Sequence, residues 1–160
     1  MPRYLEKIYL ETTVITAWLK KEIRTNQEME GVEYCIERIM KNEIKVITSV
    51  NTIGEILPGH FPPGVYDLFE RTISKRKNFE LIGIDIRIST LAQEIRDYYS
   101  SSNRKIELPD AYHLATAIHY AVDSFYTFDK DDLLRLNGNV AGHTLIICKP
   151  PLPRQRRLAF

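Results

Sequence analysis

Short apolar runs alternate with stretches of helical spacing along most of this chain, and no other feature constrains its fold as much. The runs at 8–10, 45–48, 79–84, 124–128 and 144–147 are short and carry β-branched and aromatic residues, as strands do. Between them, apolar residues recur at helical spacing: Val14, Ile15, Trp18 and Leu19, then Val32, Ile36, Ile39 and Met40. Ile88, Leu91, Ala92, Ile95 and Tyr99 form a third stripe, and Ala111, Leu114, Ala115, Ile118 and Val122 a fourth. Strands joined through helices pair in parallel, and the helices cover both faces of the sheet. The pattern therefore predicts a single α/β unit with a mostly parallel sheet of five strands.

Local signals set the boundaries. Thr12 or Thr13 is placed to cap the first helix through its hydroxyl, and a polar turn near Thr25 and Asn26 opens the second. Residues 49–57 read as a short helix carrying Glu55, stopped by Pro58 and Gly59; residues 58–64 are a loop. Residues 65–74 read as helix ending in the basic run Lys75, Arg76, Lys77, and Asp85 caps the helix that follows strand three. Residues 100–105 form a polar, basic loop, after which Pro109 fits the first turn of a helix, where a missing N–H costs nothing. A short helix follows Asp132, with turns at Gly138 and Gly142. The domain is expected to span 1–148, leaving 149–160 as a Pro- and Arg-rich tail outside the core.

Composition narrows the function classes. With 160 residues, 44% hydrophobic and 27% charged, the chain is an ordinary globular domain able to bury a core unaided. No apolar run is long enough to span a bilayer, and the first residues lack the apolar core of a secretory signal, so a cytoplasmic location is expected. Cys35 and Cys148 have no metal-type or redox spacing and read as buried free thiols. The net charge of +1 is uneven: Lys149, Arg154, Arg156 and Arg157 lie in the tail, and removing those four positive charges leaves −3 on the body. Such a body does not bind nucleic acid by bulk charge. It needs local basic patches or cations that neutralise its acids.

The acids sit where an open parallel sheet holds its ligands. Glu11 directly follows strand one, Glu55 lies on the short helix after strand two, Asp110 opens the late helix, and Asp129 follows strand four. If strand one lies beside strand four, these carboxylates converge on one edge. Close carboxylates repel and raise one another's pKa, a cost that a hard divalent cation such as Mg²⁺ or Mn²⁺ removes. A site of that kind suits phosphodiester chemistry.

Here the residues acquire a family likeness. Ile8-Tyr9-Leu10-Glu11-Thr12-Thr13-Val14-Ile15, Thr48-Ser49 with Glu55, Leu108-Pro109-Asp110-Ala111-Tyr112-His113-Leu114-Ala115 and Tyr126-Thr127-Phe128-Asp129-Lys130-Asp131 together resemble a PIN-domain protein, of the kind that includes VapC-type toxins. The resemblance implies a Rossmann-like three-layer α/β/α sandwich and a metal-dependent endoribonuclease that leaves a 5′-phosphate and a 3′-hydroxyl. It places the acidic quartet on Glu11, Glu55, Asp110 and Asp129, with Glu11, Asp110 and Asp129 on Mg²⁺ or Mn²⁺ and Glu55 positioning water or a second ion. It also implies an RNA substrate, an antitoxin protein partner and a homodimer. Two positions depart from the pattern: Glu11 stands where the family usually has Asp, and Thr13 where it often has Asn.

Further residues are candidates for supporting roles: Thr13 and Thr127 as hydrogen-bond partners of a ligand carboxylate, Asp131 and Asp132 as added acids, and His113, one turn after Asp110. Arg104, Lys105 and Lys130 are candidate RNA contacts. Each residue also has a plainer reading. Asp110 fits a helix N-terminus, Asp129 a helix cap, Glu55 a surface position, His113 a packed helix position, and Arg104 with Lys105 a solvated loop. Two other function classes stay open: a PIN fold that binds a partner without cleaving, and a receiver-like phosphorylation domain using Asp85, Thr127 and Lys130.

Overall fold

The computed structural model describes residues 4–153. Five strands, β1 (Glu6–Leu10), β2 (Ile44–Ser49), β3 (Phe79–Ile82), β4 (Ser124–Tyr126) and β5 (Ile147–Cys148), form one sheet in the order β3-β2-β1-β4-β5. Every neighbouring pair is parallel. The principal helices are α1 (Thr12–Lys20), α2 (Glu28–Met40), α3 (Asn51–Glu55), α4 (Val65–Phe69), α5 (Ile86–Tyr99) and α6 (Leu108–His119). α4 continues into a wider turn over Glu70–Ser74.

Alternation along each strand divides the interior into two cores. Ile8, Leu10, Val46 and Tyr126 face α1, α2 and α4, whereas Tyr9, Ile47, Phe125 and Ile147 face α5 and α6. This is the three-layer α/β/α sandwich. Burying two faces stabilises the domain by roughly 25 cal/mol for each Å² of apolar surface removed from water.

Several boundaries differ from the sequence reading, each for a local reason. Neither Thr12 nor Thr13 caps α1; Glu11 does, its carboxylate accepting the Thr13 N–H at 3.0 Å. Asn26 and Gln27 adopt positive φ, which delays α2 to Glu28. On α2, Met40 of the expected apolar stripe is exposed, whereas Arg38 is buried and ion-paired to Glu6 at 2.8 Å. The last strand begins at Ile147 instead of 144, because the Leu145 carbonyl is taken by Gly138 N–H at 2.8 Å in the preceding turn. The helix after Asp132 is a single 3₁₀ turn, Leu134–Leu136. Phe61, in the loop after α3, is 8% exposed and packs into the α1/α2 core.

The start of the expected tail crosses α2 closely. Lys149 pairs with Glu28 at 2.7 Å, and a Cβ added to Gly31 would fall 2.3 Å from the Pro150 carbonyl oxygen. Only glycine permits that approach. Arg154, Arg156 and Arg157 lie outside the described residues. Asp85 caps α5 as expected, accepting Ile88 N–H at 3.0 Å, and β3 is an edge strand, so the receiver-like arrangement of acids is not formed. Cys35 and Cys148 are free thiols, Cys35 buried and Cys148 half-buried; burial pushes their pKa values up to about 12 and about 11. No described helix is long and apolar enough to cross a membrane.

Candidate active site

The chain leaves β1 toward β2 on one side and reaches β4 on the other, so the strand order reverses between β1 and β4. Crevices at the carboxyl ends of such strands are the ligand sites of open α/β sheets. Glu11 and Asp129 both arrive there. The Glu11 N–H donates to the Tyr126 carbonyl at 3.1 Å, which ties the two strand ends together.

Glu11 is 3% exposed, so its carboxylate must be satisfied within the protein. One oxygen, Oε2, accepts the Thr13 N–H at 3.0 Å, the Thr127 hydroxyl at 2.8 Å and the Thr13 hydroxyl at close range. The hydroxyls accept in turn. Thr13 Oγ1 receives the Phe128 N–H at 3.0 Å and Thr127 Oγ1 the Asp129 N–H at 3.0 Å. Glu11 therefore fixes the backbone that presents Asp129. No described residue donates to its other oxygen, Oε1.

Asp129 turns the chain back on itself. Its Oδ1 accepts the N–H groups of Asp131 at 3.2 Å and Asp132 at 2.9 Å. That turn carries Asp132 to the mouth of α6, where Asp110 stands in the first turn. Carboxylate oxygens of Asp110, Asp129 and Asp132 lie within 4.8 Å of one another. Burial, then the charges of Asp129 and Glu11, push the Asp110 carboxyl up to about 7, against a smaller opposing pull from His113. The helix N-terminus favours a charged Asp110, but an effect of about 1 kcal/mol is too small to offset them. Asp131, on the same turn, is exposed and uses its carbonyl to hold Arg135 at 2.8 Å.

Glu55 occupies the other flank. Its Oε1 accepts Asn51 Nδ2 at 2.9 Å, Thr12 Oγ1 at 3.1 Å and, closest of all, His113 Nε2. Burial would raise this carboxyl, yet donation from His113, its charge, and the Thr12 and Asn51 bonds hold it below its ordinary value. His113 is fully buried, and its Nδ1 faces the Tyr9 hydroxyl at 2.5 Å. Between Glu11 and Glu55 lies an open hollow of about 320 Å³, where the Arg24 guanidinium covers Phe128 with 4.0 Å to the ring centre. Beside the acidic trio, a hollow of about 460 Å³ is lined by Arg104 and Lys105 together with Asp131 and Asp132. Lys130 is exposed on the same turn.

The structure thus gathers Glu11, Glu55, Asp110, Asp129 and Asp132 around one sheet edge, with Thr13, Thr127 and His113 as their hydrogen-bond partners. The trio of closest acids contains Asp132 where Glu11 was expected, because the longer Glu11 side chain folds back onto Thr13 and Thr127. Sequence reasoning missed Tyr9, Thr12 and Asn51. Tyr9 had a readable signal, since a phenol in a fully buried strand needs a partner for its hydroxyl.

A parallel sheet whose two central strands deliver carboxylates to a shared edge defines a class of acidic-cleft α/β domains. Within that class the chain belongs to the PIN-domain family, whose family model matches residues 8–139. No match was found among curated protein sequences. The fold resembles that of FitAcB from Neisseria gonorrhoeae, with a TM-score of 0.64, 20% identity and coverage of 89% of this chain and 97% of that one. It also resembles VapBC2 from Rickettsia felis bound to a DNA fragment from their promoter, with a TM-score of 0.61, 15% identity and coverage of 88% and 96%. A toxin–antitoxin complex from Klebsiella pneumoniae aligns with a TM-score of 0.56, 20% identity and coverage of 91% and 98%.

Proposed function

We propose that this protein is a metal-dependent endoribonuclease and the toxin of a toxin–antitoxin pair. The observation that carries the reading is the meeting of three carboxylates, Asp110, Asp129 and Asp132, whose oxygens lie within 4.8 Å of one another. Burial, then the neighbouring charges, push Asp110 up to about 7 against a smaller pull from His113. An all-oxygen set of acids under mutual repulsion fits Mg²⁺ or Mn²⁺. Asp110, Asp129 and Asp132 would hold the ion, and the unclaimed Oε1 of Glu11 extends the same set. Such an ion supplies charge neutralisation for a phosphodiester and acidifies a coordinated water.

The chain's own residues do the rest. Thr13 and Thr127 hold Glu11, and Thr127 passes that restraint to the Asp129 backbone. Glu55 keeps one oxygen fixed by three donors and leaves Oε2, to which no described residue donates, to orient an attacking water. Arg104 and Lys105 border the acidic trio and are suited to hold the flanking phosphates of a single strand. The likeness to toxin–antitoxin structures supports an antitoxin partner, and the half-exposed Ile53, Leu57 and Leu68 offer apolar surface for it or for a second copy of the chain.

The saturation of Glu11 Oε2 favours one second reading, a PIN fold that binds its partner without cleaving. The test is cleavage of an RNA pool with Mg²⁺ or Mn²⁺, with EDTA, and with Asp110→Asn. Cleavage that depends on the ion and is lost in Asp110→Asn supports the nuclease. Absence of ion-dependent cleavage by the wild type leaves the binding reading.

A further inference from the structure

Glu55 is held in a way that its own helix does not explain. α3 has only five residues; of these Thr52 alone is buried, Ile53 is 48% exposed and Gly54 has open space around it. No apolar stripe fixes the helix, so the carboxylate depends on the groups that bind it. One of those comes from the most buried part of the molecule. The Ser49 N–H donates to the Tyr9 oxygen at 3.1 Å, and Tyr9 reaches His113 Nδ1 at 2.5 Å. The opposite ring nitrogen, Nε2, touches Glu55 Oε1.

The chemistry orients this chain of bonds. A carboxylate cannot face an imidazole lone pair, so Nε2 carries a hydrogen, and Nδ1 is left to the Tyr9 oxygen, which already accepts from Ser49 and donates to Nδ1 when the ring is neutral. Tyr9 is itself fixed, stacked on Phe125 with 4.8 Å between ring centres and 3° between planes. We propose that Tyr9 and His113 are positioning residues, a rigid two-member clamp that locks the His113 ring with its hydrogen on Nε2 and thereby aims Glu55 Oε2 into the cleft.

The clamp rests on the nuclease reading for its purpose. Its two members sit on the elements that also deliver the cleft's acids: Tyr9 lies two residues before Glu11, and His113 one turn after Asp110. Glu55 is thereby registered to the acidic trio through β1 and α6 instead of through its own short helix.

The test combines single-turnover RNA cleavage with nitrogen NMR of the His113 ring, in the full chain. His113→Leu should lower kcat about 10–100-fold with KM changed less than about threefold. His113→Gln, whose amide restores a donor to Glu55, should recover most of that loss. Tyr9→Phe keeps the stacked ring and removes only the hydroxyl; it should lower kcat about 3–10-fold and shift the His113 Nδ1 resonance, while Glu55 keeps the hydrogen on Nε2. Equal kcat for the Leu and Gln variants, or a wild-type ring with its hydrogen on Nδ1, would overturn the clamp while leaving wild-type cleavage intact. Wild-type protein with the Nε2–H ring but no ion-dependent cleavage overturns the nuclease reading and, with it, the purpose assigned to the clamp.

Discussion

Asp110 and Glu55 face the same cleft and are shifted in opposite directions. Both lose solvation. Glu55 recovers it from three donors on one oxygen and is held below its ordinary pKa. Asp110 meets two further aspartates and the charge of Glu11, and is pushed up to about 7. One flank is held by donors within the protein; the other is a crowd of acids, the place where the proposed cation would sit. The difference teaches that the acidic quartet is not one kind of residue four times over.

Breaking the cation side should have the largest effect. Asp129→Asn is expected to reduce cleavage about 10³-fold, equivalent to about 4 kcal/mol of barrier, as read from kcat/KM with Mn²⁺. An effect under about tenfold would show that the trio is not where the chemistry happens. In the scaffold behind the trio, Thr127→Val removes the hydroxyl that links Glu11 to Asp129. The expectation is a 10–100-fold loss of activity and about 1–3 kcal/mol of stability, measured by denaturant unfolding. An active, stable Thr127→Val variant would detach Glu11 from the site.

The contrast also fixes a pH dependence. Asp110 has a folded pKa of about 7, above its ordinary 3.8, so the folded state binds a proton there that the unfolded state has released. Its contribution is therefore fully present below about 3.8 and is lost as pH rises toward 7. Without divalent ions, Asp110→Asn should stabilise the protein by about 1–2 kcal/mol at pH 8 after allowing for solvent screening, and by little at pH 4. Saturating Mn²⁺ should reverse the order at pH 8, raising the wild-type melting temperature by several degrees and the variant's by less. A variant no more stable than wild type at pH 8 would mean that Asp110 is not under charge stress.

The sequence made the frame of this contrast legible and hid its division of labour. Alternation of strands and helices predicted the parallel sheet, and the positions of Glu11, Glu55, Asp110 and Asp129 after strands or at helix starts put them on one edge once the structure sets β1 beside β4. Thr13 and Thr127 were readable as partners of a carboxylate, but that both load the same oxygen of Glu11, one of them from 116 residues away, is set by packing that no local pattern reports. Asp132 entered the trio through the turn made by Asp129, whose side chain accepts the N–H groups two and three residues on. An Asp at the start of a loop has that habit, so this placement was readable. Tyr9 was absorbed into an apolar strand by its ring, and its hydroxyl was the overlooked half. Arg38 eluded the stripe on α2 for the converse reason, a charge buried by its pairing with Glu6.

On the proposed reading, a divalent cation entering the cleft displaces a proton from Asp110, whose pKa is pushed up to about 7. Calorimetric titration of Mn²⁺ into the protein at pH 6, in two buffers of different ionisation heat, measures the proton released on binding. Close to one proton per ion is expected from a carboxyl with a pKa of about 7, with none from Asp110→Asn and weaker binding by that variant. Binding without proton release, or equal affinity in wild type and Asp110→Asn, would contradict it.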